Sequence, residues 1–321
     1  MGITNNIPNN IPEKWIEFNY PSFTNTLKIK DVYNLDCSKN QLISLPNSIF
    51  NLLNLKTLNC YSNQLISIPE SIYHLSTLQK LFCHNNQLIN LPNSIGCLKQ
   101  LQHFNCCNNK LTSLPDSICY LNNLQWLTCS YNQLISLPNS FGVLINLIRL
   151  ECDNNQLTSF PDSIGCLSNL KYLYCSYNQL TSLPESIGSL SNLQELLCSN
   201  NRLTKLPNSI GNLKNLIYLI CSYNQLTSLP NSIGNLTNLV ALSILNNQLI
   251  TLPDSSENLI KLLELDSKNN KFPYDILEEH TDIIKYIKDI IKIEKLKRIK
   301  KILNEQLIID LDTVTIIILF F

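Results

Sequence analysis

The chain has 321 residues, with 24 basic and 24 acidic side chains, and only 15% of its positions are charged. That balance gives no sign of the basic face a nucleic-acid binder carries, so no nucleic-acid partner is expected. No stretch reaches the ~18 uncharged apolar residues of a spanning helix, and the segment from Met1 to Trp15 lacks the apolar core of a secretory signal.

Residues 1–31 stand apart from the pattern that follows. Pro8, Pro12 and Pro21 punctuate them, and Lys14, Trp15, Ile16 and Phe18 suit one short helical turn. Met1-Gly2 opens like a myristoylation signal, but Asn6 stands where that pattern wants Ser or Thr. The segment is read as an N-terminal cap over the first repeat, whose apolar end needs cover.

From residue 32 one phrase recurs. Written once at residues 216–239 it reads LxxLxCxxNxLxxLPxSIxxLxx, and its asparagine returns every 23 residues from Asn40 through Asn63 and Asn86 to Asn270. Ten full copies and the start of an eleventh fill 32–271 without insertion or deletion. A fixed period in the twenties means a solenoid in which each unit packs on its neighbours. On these residues the chain resembles a leucine-rich repeat protein of the 23-residue intracellular type. It is similar to plant Ras-group repeat proteins and animal Ras-pathway scaffolds. Its Asn-, Ile-, Lys- and Tyr-rich wording is also similar to repeat proteins of amoeba-infecting giant viruses or AT-rich protists. The resemblance implies an α/β horseshoe with a parallel sheet on the concave face and short helical or 3-10 turns on the convex face. It further implies that each repeat asparagine bonds backbone groups of its own and adjacent repeats.

Within a repeat, Leu58 and Cys60 alternate with Thr57, Asn59 and Tyr61. Alternation on a strand sends the first pair into the core and the others outward. In the LPxSI segment proline fixes φ, Ser186 or Ser232 is expected to cap a short turn, and Ile233 with Leu236 is expected inside.

Nine of the 13 cysteines, from Cys37 to Cys221, fall at one core slot, and the tenth copy has Ile244 there. A free thiol behaves as a compact hydrophobe in such a slot. In-register parallel neighbours sit farther apart than a disulfide's Cβ atoms want. The expectation is a ladder of buried, reduced thiols in a reducing compartment. Cys97, Cys119 and Cys166 are placed on the convex side. Cys107, with His84 and His103 nearby, could hold half a metal site, but no carboxylates accompany it and no metal or cofactor is expected.

The chain has four histidines, and no Ser–His–Asp grouping, HExxH, GxxxxGK or GxGxxG pattern. An enzyme is not expected. The information lies in the outward strand positions, which gather Phe82, His84, Trp126, Tyr131, Tyr172, Tyr174, Tyr177, Tyr218 and Tyr223 around the charged Arg149, Glu151, Asp153 and Glu195. Aromatic and arginine side chains on a surface that can be desolvated are what binding hot spots are made of. Tyrosine merely tolerated on a sheet is the competing explanation, and a carbohydrate stacked on the rings ranks below a protein.

Residues 272–321 form the third segment, read as a helical cap and apolar tail. Ile283, Ile284, Ile287, Ile290 and Ile291 share one helical face, with Lys285, Lys288 and Lys292 opposite. Residues 285–301 hold eight basic and two acidic groups, so a basic amphipathic helix over 281–303 on an anionic membrane is the alternative function. The apolar end, 307–321, is too short to span a bilayer, and its role is open between strand pairing, docking on the tail helix and an oligomer contact. The reading is a non-enzymatic, monomeric scaffold that binds a protein on its concave face. Its setting is expected to be cytoplasmic, the host cytoplasm if the viral similarity holds.

Overall fold

The structure, a computed structural model, describes residues 32–272 together with Ile287 and Ile291. Every repeat places three residues in a strand, from β1 (Asn34–Asp36) through β2 (Thr57–Asn59) to β11 (Glu264–Asp266). The eleven strands form one open parallel sheet in sequence order. Each strand pairs with the next at an offset of one repeat, as in Leu35 with Leu58. Three-residue strands follow from the pattern: the central leucine is buried, and its flanking residues face outward, as the buried Leu58 between Thr57 and Asn59 illustrates.

Opposite the sheet, the LPxSI segments form 3-10 turns such as Asn231–Asn235. Proline supplies the extended entry, φ −70° and ψ 149° at Pro230. Tight turns then follow one another: Ile233 N–H bonds Pro230 O at 2.9 Å, Leu236 N–H bonds Ile233 O at 3.0 Å, and Leu239 N–H bonds Leu236 O at 2.9 Å. Ile233, Leu236 and Leu239 are thereby all turned inward and fully buried. The serine does not cap these turns. It is their second residue, and Ser232 Oγ instead donates to Asn208 O of the preceding repeat at 2.6 Å, while Ser186 Oγ is buried without a partner. Proline already occupies the capping position, so the hydroxyl is left to reach between repeats. Gly211 follows the buried isoleucine because a Cβ there would overlap the Ser232 carbonyl oxygen of the next repeat.

The repeat asparagine is the fastener. Asn178 Nδ2 donates to Cys152 O at 2.9 Å, Cys175 O at 3.1 Å and Ser176 O at 3.2 Å, and its Oδ1 accepts Leu157 N–H at 2.9 Å. One buried side chain thus satisfies backbone of two adjacent repeats that would otherwise be unpaired at ~1–3 kcal/mol per group. A second asparagine series went unrecognised in the sequence. Asn146, Asn169, Asn192 and their counterparts donate to carbonyls one repeat back, as in Asn192 Nδ2 to Ser168 O at 2.8 Å, on the exposed side.

All nine ladder cysteines are free and fully buried. Burial pushes their thiols up, to about 12 for Cys60 and Cys198, and Cys129 Sγ lies 3.3 Å from Glu151 O of the next repeat. The three cysteines expected on the convex side all lie in its 3-10 turns, Cys97 and Cys166 exposed and Cys119 buried. It follows Ile118 at the position most repeats give to glycine, against the neighbouring turn.

Ile287 and Ile291 are helical, and both are buried in the same hydrophobic core as the repeats. That matches the shared face expected of them. The expected N-terminal cap, the rest of the expected basic helix 281–303, and the apolar end 307–321 lie outside the described residues. Among the described residues no helix is long and apolar enough to cross a membrane.

Candidate interaction surface

Register decides which outward side chains meet. The first positions of β5 (Trp126–Thr128), β6 (Arg149–Glu151), β7 (Tyr172–Tyr174), β8 (Glu195–Leu197) and β9 (Tyr218–Ile220) pair in succession. Trp126, Arg149, Tyr172, Glu195 and Tyr218 therefore form one line across five strands. Thr128, Glu151, Tyr174, Leu197 and Ile220 form a second line beside it. The strand spacing of about 4.8 Å brings each residue within reach of its neighbour.

The centre of this surface is a connected group. Arg149 pairs with Glu151 through its Nε. Its guanidinium carbon lies 4.8 Å from the Tyr174 ring centroid and 5.7 Å from that of Tyr172, the cation–π range. The Tyr174 hydroxyl donates to Glu195 Oε2 at 2.5 Å. Partial burial and this bond to a carboxylate raise the Tyr174 phenol's pKa and keep it a donor. Trp126 is about half exposed and meets His103 edge-on at 4.7 Å between centroids.

Asp153, expected among the charged side chains of this face, is tied into it by hydrogen bonds to its neighbours. Its Oδ1 accepts Ser176 N–H at 2.8 Å, and its Oδ2 accepts the Ser130 hydroxyl at 3.3 Å. Burial raises its pKa against the lowering effect of those bonds. Glu151, Asp153 and Glu195 put three carboxylates against one guanidinium, so the centre of the surface is acidic.

Phe82 and His84 lie toward the N-terminal end, apart from the centre. Phe82 ends β3 (Lys80–Phe82) half-buried. His84 stacks on Tyr61 at 4.6 Å and 7° between planes. Tyr61, with Lys39 at 5.9 Å from its ring, was also missed as a site residue. Only the register, which sets it beside His84, reveals the pair. Burial lowers the pKa of His84, and burial together with Lys80 lowers that of His103. Burial raises the Cys107 thiol to about 11, and no group of three or more His, Cys, Asp or Glu able to hold a metal exists among the described residues.

Tyr131, Tyr177 and Tyr223 stand just past their strands, on the rim, with φ of 56°, 55° and 55°. These residues are 60%, 57% and 50% exposed. This left-handed conformation costs a bulky residue ~1–2 kcal/mol. Asparagine tolerates it better, and asparagine fills the same position at 85, 108, 154, 200, 246 and 269. The backbone there is held from both sides: Tyr177 N–H bonds Ser199 O at 2.9 Å, and its carbonyl accepts Asn155 N–H at 3.2 Å.

A family model described as a leucine-rich repeat region matches residues 151–314, and a single-repeat model, Leucine Rich Repeat, matches 54–75 and 100–121. No curated protein sequence matches the chain. Among solved structures it is similar to a plant peptide hormone receptor, RGFR1, in complex with RGF2, with 30% identity and a TM-score of 0.65 over 76% of this chain and 44% of that one. It is similar to the functional domain of InlJ from Listeria monocytogenes, described as including a cysteine ladder, with 25% identity and a TM-score of 0.67 over 78% of this chain and 51% of that one. The leucine-rich effector YopM from Yersinia pestis shares 28% identity and a TM-score of 0.63 over 75% of this chain and 61% of that one. The chain thus spans less than two thirds of each.

Proposed function

We propose that this chain, which belongs to the leucine-rich repeat family, is a non-enzymatic interaction module whose sheet face binds a protein partner. The observation that carries this reading is the line Trp126, Arg149, Tyr172, Glu195 and Tyr218 with Tyr174 beside it. Large aromatic side chains there remain partly exposed on a surface where threonine or serine would fold equally well. Exposed tryptophan and tyrosine around an arginine offer apolar area and donors in one place, the composition of an interface centre. Arg149 and Tyr174 are already held by Glu151 and Glu195, so little side-chain freedom remains to be lost on binding. The plant receptor of similar fold is in complex with RGF2, which favours a polypeptide over other ligands here. The unpaired thiols of the ladder favour a reducing, cytoplasmic setting.

The test is affinity capture from cell lysate with mass spectrometry. Wild type is compared with a Trp126→Ala, Tyr172→Ala, Tyr174→Ala variant after circular dichroism has shown both folded. Capture of a protein by wild type and its loss from the variant is the expected result. Undiminished capture by the variant moves the site off this face, and no capture by either removes the reading's support.

A further inference from the structure

We infer that Tyr131, Tyr177 and Tyr223, with Asn154 and Asn200 between them, form the docking strip for a proline-rich segment in polyproline II conformation that carries a basic residue beside its prolines. This rests on the sheet face being a protein-binding surface, and it names the chemistry of the partner.

The first ground is a cost without an internal return. Tyrosine holds a left-handed position three times where six other repeats use asparagine and the first two use Lys39 and Ser62. Each tyrosine is at least half exposed, and none takes part in a ring contact among the described residues. Strain kept in this way points outward, toward a ligand.

The second ground is what the alternation does to the asparagines. Where two of them are neighbours, the amides bond each other: Asn108 Nδ2 to Asn85 Oδ1 at 2.6 Å, and Asn269 Nδ2 to Asn246 Oδ1 at 3.0 Å. Asn154 and Asn200 have tyrosines on both sides, and their side-chain amides have no hydrogen-bond partner among the described residues. Polyproline II has no internal hydrogen bonds, so its carbonyls are free to accept from such amides.

Spacing selects the conformation. Tyrosines two repeats apart on a parallel ladder are separated by about 9.4–9.8 Å. One turn of polyproline II advances about 9.3 Å in three residues and returns the same face. Two turns therefore match the two intervals to within about 1 Å. A helix repeats a face after seven residues at about 10.5 Å and drifts by about 2 Å over the strip. A strand returns a face at about 6.6 or 13 Å and fits neither interval. Proline rings on aromatic faces are a known use of this preformed, low-entropy helix.

Charge supplies the last element. Asp153 immediately precedes Asn154, and Tyr131 N–H bonds the Asp153 carbonyl at 2.9 Å. With Glu151 and Glu195 nearby against the single Arg149, this side of the strip favours a lysine or arginine on the partner.

The test uses the full chain and fluorescent synthetic peptides. One carries proline at every third position with an arginine at one end, and a second has the same composition with proline at every fourth. A third replaces the arginine by glutamate. The protein variant is Tyr131→Asn, Tyr177→Asn, Tyr223→Asn, which suits the left-handed backbone and so keeps the fold. Binding of the first peptide, weakened about tenfold or more by each of these changes, is the expected result. Equal affinity for the two proline spacings, or no binding at all, overturns the inference. If no proline peptide binds while the Trp126, Tyr172, Tyr174 variant still loses a captured protein, only the partner's chemistry is wrong. If both experiments are silent, the interaction surface falls with it.

Discussion

Tyr177 and Asn178 are adjacent in the chain and opposite in role: the tyrosine is exposed at φ 55°, and the asparagine beside it is buried with its amide bonded to three carbonyls. The same turn that carries the fastener inward carries the ring to the rim. If the proposed strip is the binding site, stability and recognition fall to neighbouring residues that can each be altered alone.

Replacing Tyr131, Tyr177 and Tyr223 by asparagine is expected to raise stability by about 1 kcal/mol per site, since a strained bulky residue gives way to one that accepts the left-handed conformation. Denaturant midpoints of the single and triple variants measure this. A fall in midpoint would show that the rings make folded-state contacts of their own.

Asn178→Ala removes the amide's bonds to three carbonyls and leaves Leu157 N–H without its acceptor in a buried turn. A loss of about 2–4 kcal/mol is expected. Hydrogen exchange adds a sharper readout, because the Leu157 amide should lose protection before those of distant repeats.

Gly211→Ala forces a methyl group against the Ser232 carbonyl oxygen of the following repeat. The neighbour there is backbone, so the turns must separate, and a cost of about 1–3 kcal/mol follows. Thermal melting of this variant, compared with an alanine placed at an exposed asparagine, isolates the clash.

Thiol labelling should divide the cysteines by burial. Cys97 and Cys166 are exposed and are expected to react first in the native protein. Cys107 is slowed by partial burial and a pKa of about 11, and the nine ladder thiols with Cys119 wait for unfolding. Peptide mapping after brief alkylation at mild alkaline pH checks the order. Early modification of Cys129 or Cys175 would contradict the sealed ladder.

Burial lowers the folded-state pKa of His84, stacked on Tyr61, below its ordinary value of 6.5. The unfolded chain therefore binds the proton more readily. The stability linked to this group is present above about pH 6.5 and is lost as pH falls through the folded pKa. His84→Gln should flatten the pH profile of stability in that window, and NMR titration of the ring should place its midpoint below that of an unfolded peptide.

The sequence reading and the structure agree where one residue's fate depends on its own repeat. The central leucine, the cysteine slot and the buried isoleucine are legible because a period of 23 repeats the same environment. The serine of LPxSI was misjudged because a capping residue and an inter-repeat donor look alike in a pattern. The proline before it already occupies the cap, and only the stacked neighbour reveals the carbonyl that Ser232 reaches. Cys119 falls in a convex turn as its repeat position predicts, and only the adjoining turn sets its burial.

The chain's own text, through its unbroken register of leucine, asparagine and proline, determined that this is an eleven-stranded parallel solenoid with its thiols inside. Each of those residues acts through a local periodicity that sequence preserves. What only the tertiary structure decided is which outward residues become neighbours: Tyr61 against His84, Arg149 between Glu151 and Tyr174, Asp153 tied to Ser130 and Ser176. These pairs lie up to about one repeat apart in the chain. They meet because parallel pairing sets equivalent positions a strand spacing apart, and rotamers and hydrogen bonds then choose among the possible partners.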